Sequence, residues 1–448
     1  FRPIHIDVKH HLEKKSYYYD LIDELAKLKI NGIIVEFEDK LKYESRMEVG
    51  SLDAMSIDWW GRLSDYAIER NIAISPLVQG LGHASYILKH EKNKFLRDKP
   101  ESDWAFNPLL KETYDLQFDL YRDAIKATPH GKYLHVGGDE VHLTERNGKS
   151  ELELNLIWLN RVSEFAKENN RIPIFWDDMP LKHAGLYRPM FNSEISVEKV
   201  EEIWVENEKN LLKFIDKFPK NAIYMRWNYQ KSETYGNQKV MEWYTNNDLK
   251  VMGATAGQTR WTLMPQNQSN IPQIKSFALS SIEKNLDGLL LTLWDDDSPH
   301  FELYKRGITA FSNYTWSGKN KSIEEFKQMF RHRMYGKEFY DDKFGFIDKL
   351  EGPVGKWLNM LLKDNVRRAE IAKSSNPEEL FIMDLPDVRN PGNWSTENYD
   401  RIQNAKSSLQ VSQEVEKILK EMFDSNPKNI YSLKIYNQVN ELVKFSSQ

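Results

Sequence analysis

Residues 135–142 read HVGGDEVH, and this segment holds the most reactive juxtaposition in the chain. Asp139 and Glu140 are adjacent carboxylates that follow Gly137 and Gly138 at the end of an apolar run. Neighbouring residues of a strand point to opposite faces, but where a strand ends the chain turns, and both side chains can enter one cavity. Glycines at such a place let another backbone or a ligand come close. Two carboxylates in different surroundings divide acid and base work between them. A buried Glu140 would keep its proton at neutral pH, while hydrogen bonds would keep Asp139 ionised. The structural alternative is a strand-to-helix corner with Asp139 as the helix cap.

Other polar and aromatic residues sit at the ends of similar runs. Lys9 follows the first, Glu38 and Asp39 the second, and Gln79 and His83 the third. Asp139 and Glu140 close the fourth, Trp176, Asp177 and Asp178 the fifth, and Trp227 and Tyr229 the sixth. The seventh leads to Trp261, and the eighth ends in Trp294 followed by Asp295, Asp296 and Asp297. A rim of carboxylates and indoles suits a neutral, polyhydroxylated, ring-shaped ligand.

The elements that must position these residues alternate regularly. Short β-branched runs occupy 4–9, 32–39, 72–79, 133–140, 172–178, 221–229, 249–256 and 288–295. Helix-period segments separate them, from Leu21, Ile22, Leu25 and Leu28 through 58–70, 109–127, 150–168, 197–217, 236–246 and 268–285. Strands that are apolar on both faces belong to parallel sheets. Eight of them alternating with helices predict an α/β fold, a (β/α)8 TIM barrel over 1–318. A doubly wound sheet would show a Gly-rich turn after the first strand, and none follows Val8. Residues 319–448 change character. Ser322 and Glu325 form a capping-box pattern before Phe326, Met329 and Phe330, and Ile402, Leu409, Val415, Ile418, Leu419 and Met422 recur at helical spacing. Residues 384–395 read as a loop, and the whole tail as a C-terminal α-helical appendage.

Composition narrows the classes. The 448 residues contain no cysteine, which removes disulfides, thiolate metal sites and cysteine nucleophiles. Lys and Arg total 62 against 67 Asp and Glu, a net charge of −5 with the signs interspersed, so nucleic acid is not the expected partner. No apolar run approaches the roughly 18 residues of a membrane span. The first residue is Phe1, read as a targeting segment processed away or left out of the sequence. A periplasmic or secreted location and a cytoplasmic one both stay open, as does the oligomeric state. The 13 Trp, 21 Tyr and 21 Phe supply either core packing or flat platforms for sugar rings, and position along the chain must decide between them.

On these residues the chain resembles glycoside hydrolase family 20, the β-N-acetylhexosaminidases, and within it the group containing hexosaminidase D. HVGGDE matches the H-x-G-G-D-E signature, supported by HIDVKHH (5–11), NGIIVEFEDKLKYE (31–44), PLVQGLGHASYILK (76–89), FWDDM (175–179) and TLWDDD (292–297). The resemblance implies a cofactor-free hydrolase of terminal β-linked GlcNAc or GalNAc, working by substrate-assisted retention. It assigns Glu140 as acid and base and Asp139 as the clamp on the acetamido nitrogen. Trp176, Trp227 and Trp294 would wall the sugar, with Trp261 on the same rim. Tyr229 would bond the acetamido oxygen. Lys9, Glu38 and His83 would meet hydroxyls of the terminal sugar, and Asp296 its O4 or O6. Lys9 stands where many members have Arg, which keeps the charge and loses the bidentate fork. Residues 319–448 carry no matching motif.

Three other readings compete. His5, His10, His11, His83, His135, His142 and His300 would suit a metal-dependent hydrolase, but the first strand offers His5-x-Asp7 where that chemistry uses two histidines, and no metal is expected. A non-catalytic sugar-binding barrel would keep the tryptophans and lose the acid. A different glycosidase would pair Glu140 with a separated carboxylate such as Asp177. Trp104, in the long loop after His83, is either a platform for an outer sugar or a loop anchor.

Overall fold

The computed structural model describes residues 1–10, 12–230, 232–258, 263–294, 296, 300–363, 374–376 and 382–448. They form two compact units: Phe1–Gly257 with Asn270–Asp295 and Ile308–Asn320, and Gln258–Ser269 with Asp296–Gly307 and Lys321–Gln448.

The first unit is a closed parallel barrel. Its strands are β1 (Pro3–Asp7), β2 (Gly32–Glu36), β3 (Ala73–Gly80), β4 (Tyr133–Gly137), β5 (Ile172–Trp176), β6 (Ile223–Trp227), β7 (Lys250–Ala256) and β8 (Leu289–Thr292). Each pairs in parallel with its neighbours in sequence, and β1 closes on β8 through Ile4 and Leu291. All eight expected strands are present; six end short of the run read from sequence, β7 ends with it at Ala256, and β3 runs one residue past it to Gly80. Lys9, Glu38, His83, Asp139, Glu140, Tyr229 and Trp294 therefore lie beyond the strands, free of the strand's alternation, while Gln79, Trp176 and Trp227 stay within β3, β5 and β6. Both faces of the strands are buried, which is why they read as unbroken apolar runs. Ile34, Leu77, Ile174, Met225, Met252 and Leu290 pack one core cluster, with Trp227 and Trp294 against it. The ladder shifts register between Leu77 and Gly80, an irregularity that re-aims the end of β3 beside β4.

The helices between strands have local causes. α1 (Lys15–Lys27) buries Leu21, Ile22 and Leu25 along one face. α2 (Ile57–Ile68) starts where the Ser56 side chain accepts the Trp59 N–H, and it buries Trp59 and Trp60 as packing residues. α3 (Lys111–Ala127) follows the long loop after β3. α4 (Glu151–Glu168) opens on a complete capping box between Ser150 and Glu153. α5 (Asp178–Ala184) is short and stops at Gly185. α6 (Val197–Leu212), α7 (Tyr235–Asn246), α8 (Asn267–Glu283) and α9 (Lys305–Ser317) complete the set.

The second unit is helical. α10 (Ile323–Tyr335) begins as its sequence predicts, with the Ser322 side chain accepting the Glu325 N–H at 3.0 Å, and it buries Phe326 and Phe330. α11 (Phe346–Leu361), α12 (Tyr399–Asp424) and α13 (Ile430–Ser447) follow. On α12 the buried positions are Val415, Leu419 and Met422, spaced to meet Leu433, Tyr436, Val439 and Val443 of α13. Between α11 and α12, residues 384–393 are irregular, and Trp394–Glu397 makes a single helical turn.

Among the described residues, no helix is long and apolar enough to cross a membrane.

Candidate active site

β4 ends at Gly137, and the next three residues turn sharply. Gly137 and Gly138 have φ of 73° and 95°, a region that side-chain-bearing residues rarely enter. Space excludes a side chain as well. A Cβ on Gly137 would lie 2.0 Å from Gln79 Oε1, and one on Gly138 would lie 2.3 Å from the Phe175 ring. The glycine pair is therefore required, and it delivers Asp139 and Glu140 into the loop.

His83 brings the two carboxylates together. Its Nε2 is 3.3 Å from Asp139 Oδ2 and 3.7 Å from Glu140 Oε2. The environments differ, but not as the sequence suggests. Asp139 is the buried member, and His83 holds its carboxyl below the usual range against the opposing effect of burial. Glu140 is not buried: its side chain is 53% exposed. The correction has a backbone cause. Glu140 has φ 47°, so the chain reverses there and the longer side chain emerges toward solvent.

His83 also answers to a wider set of charges. Burial disfavours its imidazolium, but Asp139, Glu36 and Glu140 outweigh that and lift it to about 9. Glu38 is raised to about 8 by burial, then by the Glu36 and Asp7 charges, against the pull of Lys9 and His83. Lys9 pairs with Asp7 at 2.8 Å and lies 5.4 Å from the Trp294 ring centre. Lys9, Glu38 and His83, which follow the first three strands, thus share one field.

This field yields a stability prediction. The folded value of His83, about 9, exceeds its ordinary 6.5, so its contribution is complete below about pH 6.5 and is lost as pH rises through 9. Thermal melting of the wild type should fall over that interval, and melting of His83→Gln should be flatter. Equal slopes for both proteins would contradict the assignment.

Under the mouth lies a buried polar ladder. His5 Nε2 meets Glu36 Oε2 at 2.9 Å, and the Gln79 amide donates to Glu36 Oε1 at 3.0 Å. His135 is fully buried, accepts the Gly137 N–H at Nδ1 (3.1 Å), and is pushed down to about 3 by desolvation. It is a core histidine.

The aromatic residues line up beside this pair. Trp176 is 1% exposed, with its ring 4.5 Å from His135 and 5.9 Å from Trp294. The Trp294 indole N–H donates to Tyr229 Oη at 3.1 Å, and Tyr229 lies 5.1 Å from the Trp227 ring. Burial raises the Tyr229 hydroxyl, and the Asp139 charge adds to it, so Tyr229 stays protonated beside that carboxylate. Trp176, Trp227, Tyr229 and Trp294 thus form one continuous aromatic arc. Trp104 is 38% exposed, packs its ring at a tilt against His83 with centres 4.3 Å apart, and donates its indole N–H to the Glu140 carbonyl at 3.1 Å.

Two expected residues do not join this description. Trp261 lies outside the described residues, as do Asp295 and Asp297. Asp296 is exposed and belongs to the second unit. Among the described residues, no group of three His or acidic side chains is arranged to hold a metal ion.

Sequence reasoning missed the support beneath the site. Asp177 and Arg226 are both fully buried and form an ion pair at 3.0 Å. Asp178, also fully buried, accepts the Glu140 N–H at 3.2 Å. Burial lifts Asp177 to about 7 and Asp178 to about 6, with Asp139 adding to the latter. Asp177, enclosed against Arg226, does not present a carboxylate to water and makes a poor partner for Glu140 in a two-carboxylate mechanism. The available signal was an arginine inside an apolar strand, YMRW, which a buried acid must neutralise.

The family model for the catalytic domain of glycosyl hydrolase family 20 matches residues 1–294. Hexosaminidase D of Bos taurus is 27% identical over 191 residues, covering 40% of this chain and 55% of that protein. The chain spans about half the length, or less, of the curated relatives it matches. Among solved structures, the family 20 β-N-acetylhexosaminidase of Streptomyces coelicolor A3(2) superposes with a TM-score of 0.55 at 13% identity, over 74% of this chain and 67% of that one. The Flavobacterium johnsoniae chitobiase does so with a TM-score of 0.52 at 14% identity, over 100% of this chain and 71% of that one. Likeness at such identities speaks to the fold.

Proposed function

The chain belongs to glycosyl hydrolase family 20, and on that premise we propose that it is an exo-acting β-N-acetylhexosaminidase releasing terminal β-linked GlcNAc or GalNAc. The observation that carries the reading is the shared contact of Asp139 and Glu140 with His83, beside the arc of Trp176, Trp227, Tyr229 and Trp294. The hexosaminidase D relatives support the same activity.

In this reading the substrate's acetamido oxygen attacks the anomeric carbon. The glycosidic C–O bond breaks as Glu140 gives its proton to the leaving oxygen. Asp139, kept anionic by His83, accepts the acetamido N–H and offsets the positive charge of the oxazolinium ion. Tyr229, a protonated hydroxyl close to Asp139, donates to the acetamido oxygen. Water then adds to the anomeric carbon, Glu140 takes its proton, the acetamido oxygen departs, and configuration is retained. The indoles hold the amide near its target, which converts orientation entropy into rate. Lys9, Glu38 and His83 meet the hydroxyls of the sugar. Residues 1–318 carry this chemistry, and 319–448 form the helical appendage.

The test is a panel of aryl β-N-acetylglucosaminides and galactosaminides, run with and without a thiazoline that mimics the bicyclic intermediate. We expect turnover with retained configuration and competitive inhibition by the thiazoline. Turnover that inverts configuration and ignores the thiazoline would reject the reading.

A further inference from the structure

Glu140 occupies an unstable position. Its φ of 47° is one that a side-chain-bearing residue leaves unless its surroundings hold it there, and its side chain is more than half exposed. The His83 ring nitrogen, 3.7 Å from its carboxylate, is a loose hold on so exposed a side chain. The restraint comes through its backbone instead. Asp178 Oδ2 accepts the Glu140 N–H at 3.2 Å, and the Glu140 carbonyl accepts the Trp104 indole N–H at 3.1 Å. One residue thus has both backbone polar groups held by side chains, one from the start of α5 and one from the loop after β3.

The cost of this arrangement is visible in Asp178. It is fully buried, next to a second fully buried aspartate, and among the described residues its Oδ1 has no hydrogen-bond partner. Lys182 Nζ stands 3.6 Å from Oδ2, and Arg226 is taken by Asp177. An apolar side chain of similar size would commonly be the more stable choice at such a site. A buried anion there does one thing an apolar group cannot do: it accepts the Glu140 N–H. The Trp104 segment is fastened in turn, since the Ala84 N–H donates to the Trp104 carbonyl at 3.0 Å, directly after His83. The residue that touches both carboxylates and the residue that holds the Glu140 carbonyl are therefore tied to one another through the backbone.

We propose that Asp178 and Trp104 are positioning residues that clamp the backbone of Glu140 in its left-handed turn and so aim its carboxyl at the leaving-group oxygen. The inference rests on the reading of Glu140 as the proton donor. Neither clamp residue donates a proton or touches the reacting atoms. Their effect is confined to how well the donor is aligned.

A misaligned acid penalises leaving groups that need a proton and spares those that do not. Asp178→Ala, Asp178→Asn, Trp104→Phe and Glu140→Gln are therefore assayed on β-N-acetylglucosaminides running from 2,4-dinitrophenyl to a second sugar. For Asp178→Ala we expect kcat on the disaccharide to fall about 100-fold with KM changed less than about threefold, and the dinitrophenyl glycoside to lose under about fivefold. Asp178→Asn, whose amide oxygen still accepts the N–H, recovers most of the loss. Trp104→Phe keeps a ring and removes the donor, and it loses about fivefold on the disaccharide with the same leaving-group dependence. Trp104 is at the surface, so this variant carries the test if Asp178→Ala does not fold. A steep leaving-group series for Glu140→Gln with flat series for Asp178→Ala and Trp104→Phe would overturn the clamp alone. A flat series for Glu140→Gln as well would bring down the proton-donor reading, and the clamp with it.

Discussion

Glu140→Gln will lower kcat/KM on a disaccharide substrate by about 10³- to 10⁴-fold, the upper range for a positioned general acid. The amide is nearly isosteric with the acid but is too weak an acid to protonate the departing sugar and too weak a base to take the proton of the attacking water. Folding should be unaffected, because the side chain is 53% exposed and its carboxylate stands no closer than 3.7 Å to His83. The control is therefore an unchanged melting temperature and circular dichroism spectrum measured beside the lost turnover. Retention of full activity in this variant would end the assignment of Glu140. Equal loss of activity and of stability would instead move Glu140 from the chemistry to the architecture.

The second large effect concerns the substrate. An aryl glucoside lacking the 2-acetamido group will turn over on the order of 10³-fold more slowly than its N-acetyl counterpart, or worse, which corresponds to about 4 kcal/mol of lost assistance. With the amide absent, neither aspartate replaces it as nucleophile: Asp139 is buried and paired with His83 at 3.3 Å, and Asp177 is enclosed against Arg226. The same ratio measured in Asp139→Asn should narrow, since a neutral amide no longer offsets the charge that grows on the acetamido nitrogen. The narrowing should come from the N-acetyl substrate, with the plain glucoside little altered. Comparable rates on the two substrates in the wild type would reject assistance by the substrate.

Much of this protein was legible residue by residue. The eight strands were readable because β-branched runs buried on both faces announce a parallel sheet, and Ser322 with Glu325 announced the helix at Ile323. The glycine pair and the two acids after it marked the turn at β4, and the structure explains why no side chain fits at Gly137 or Gly138. The assignment of environments failed at Glu140. Adjacent carboxylates look alike in sequence, and burial was ascribed to the wrong one, because a positive φ at a non-glycine residue leaves no mark in composition or spacing.

The order of apolar runs and turns, set by local chain physics, already determined the barrel, the end of β4 where chemistry gathers, and the residue types available there. Only the closed tertiary structure decided how those residues meet. His83 and Trp104 come from the long loop after β3, Asp139 comes from the loop after β4, and Asp178 reaches Glu140 from the start of α5. Convergence of this kind depends on strand register around the barrel and on strained turns stabilised by distant partners. Periodicity along a chain carries information about neighbours a few residues away. The charge on His83, the burial of Asp139 and the grip on Glu140 are all set by groups that the sequence keeps far apart.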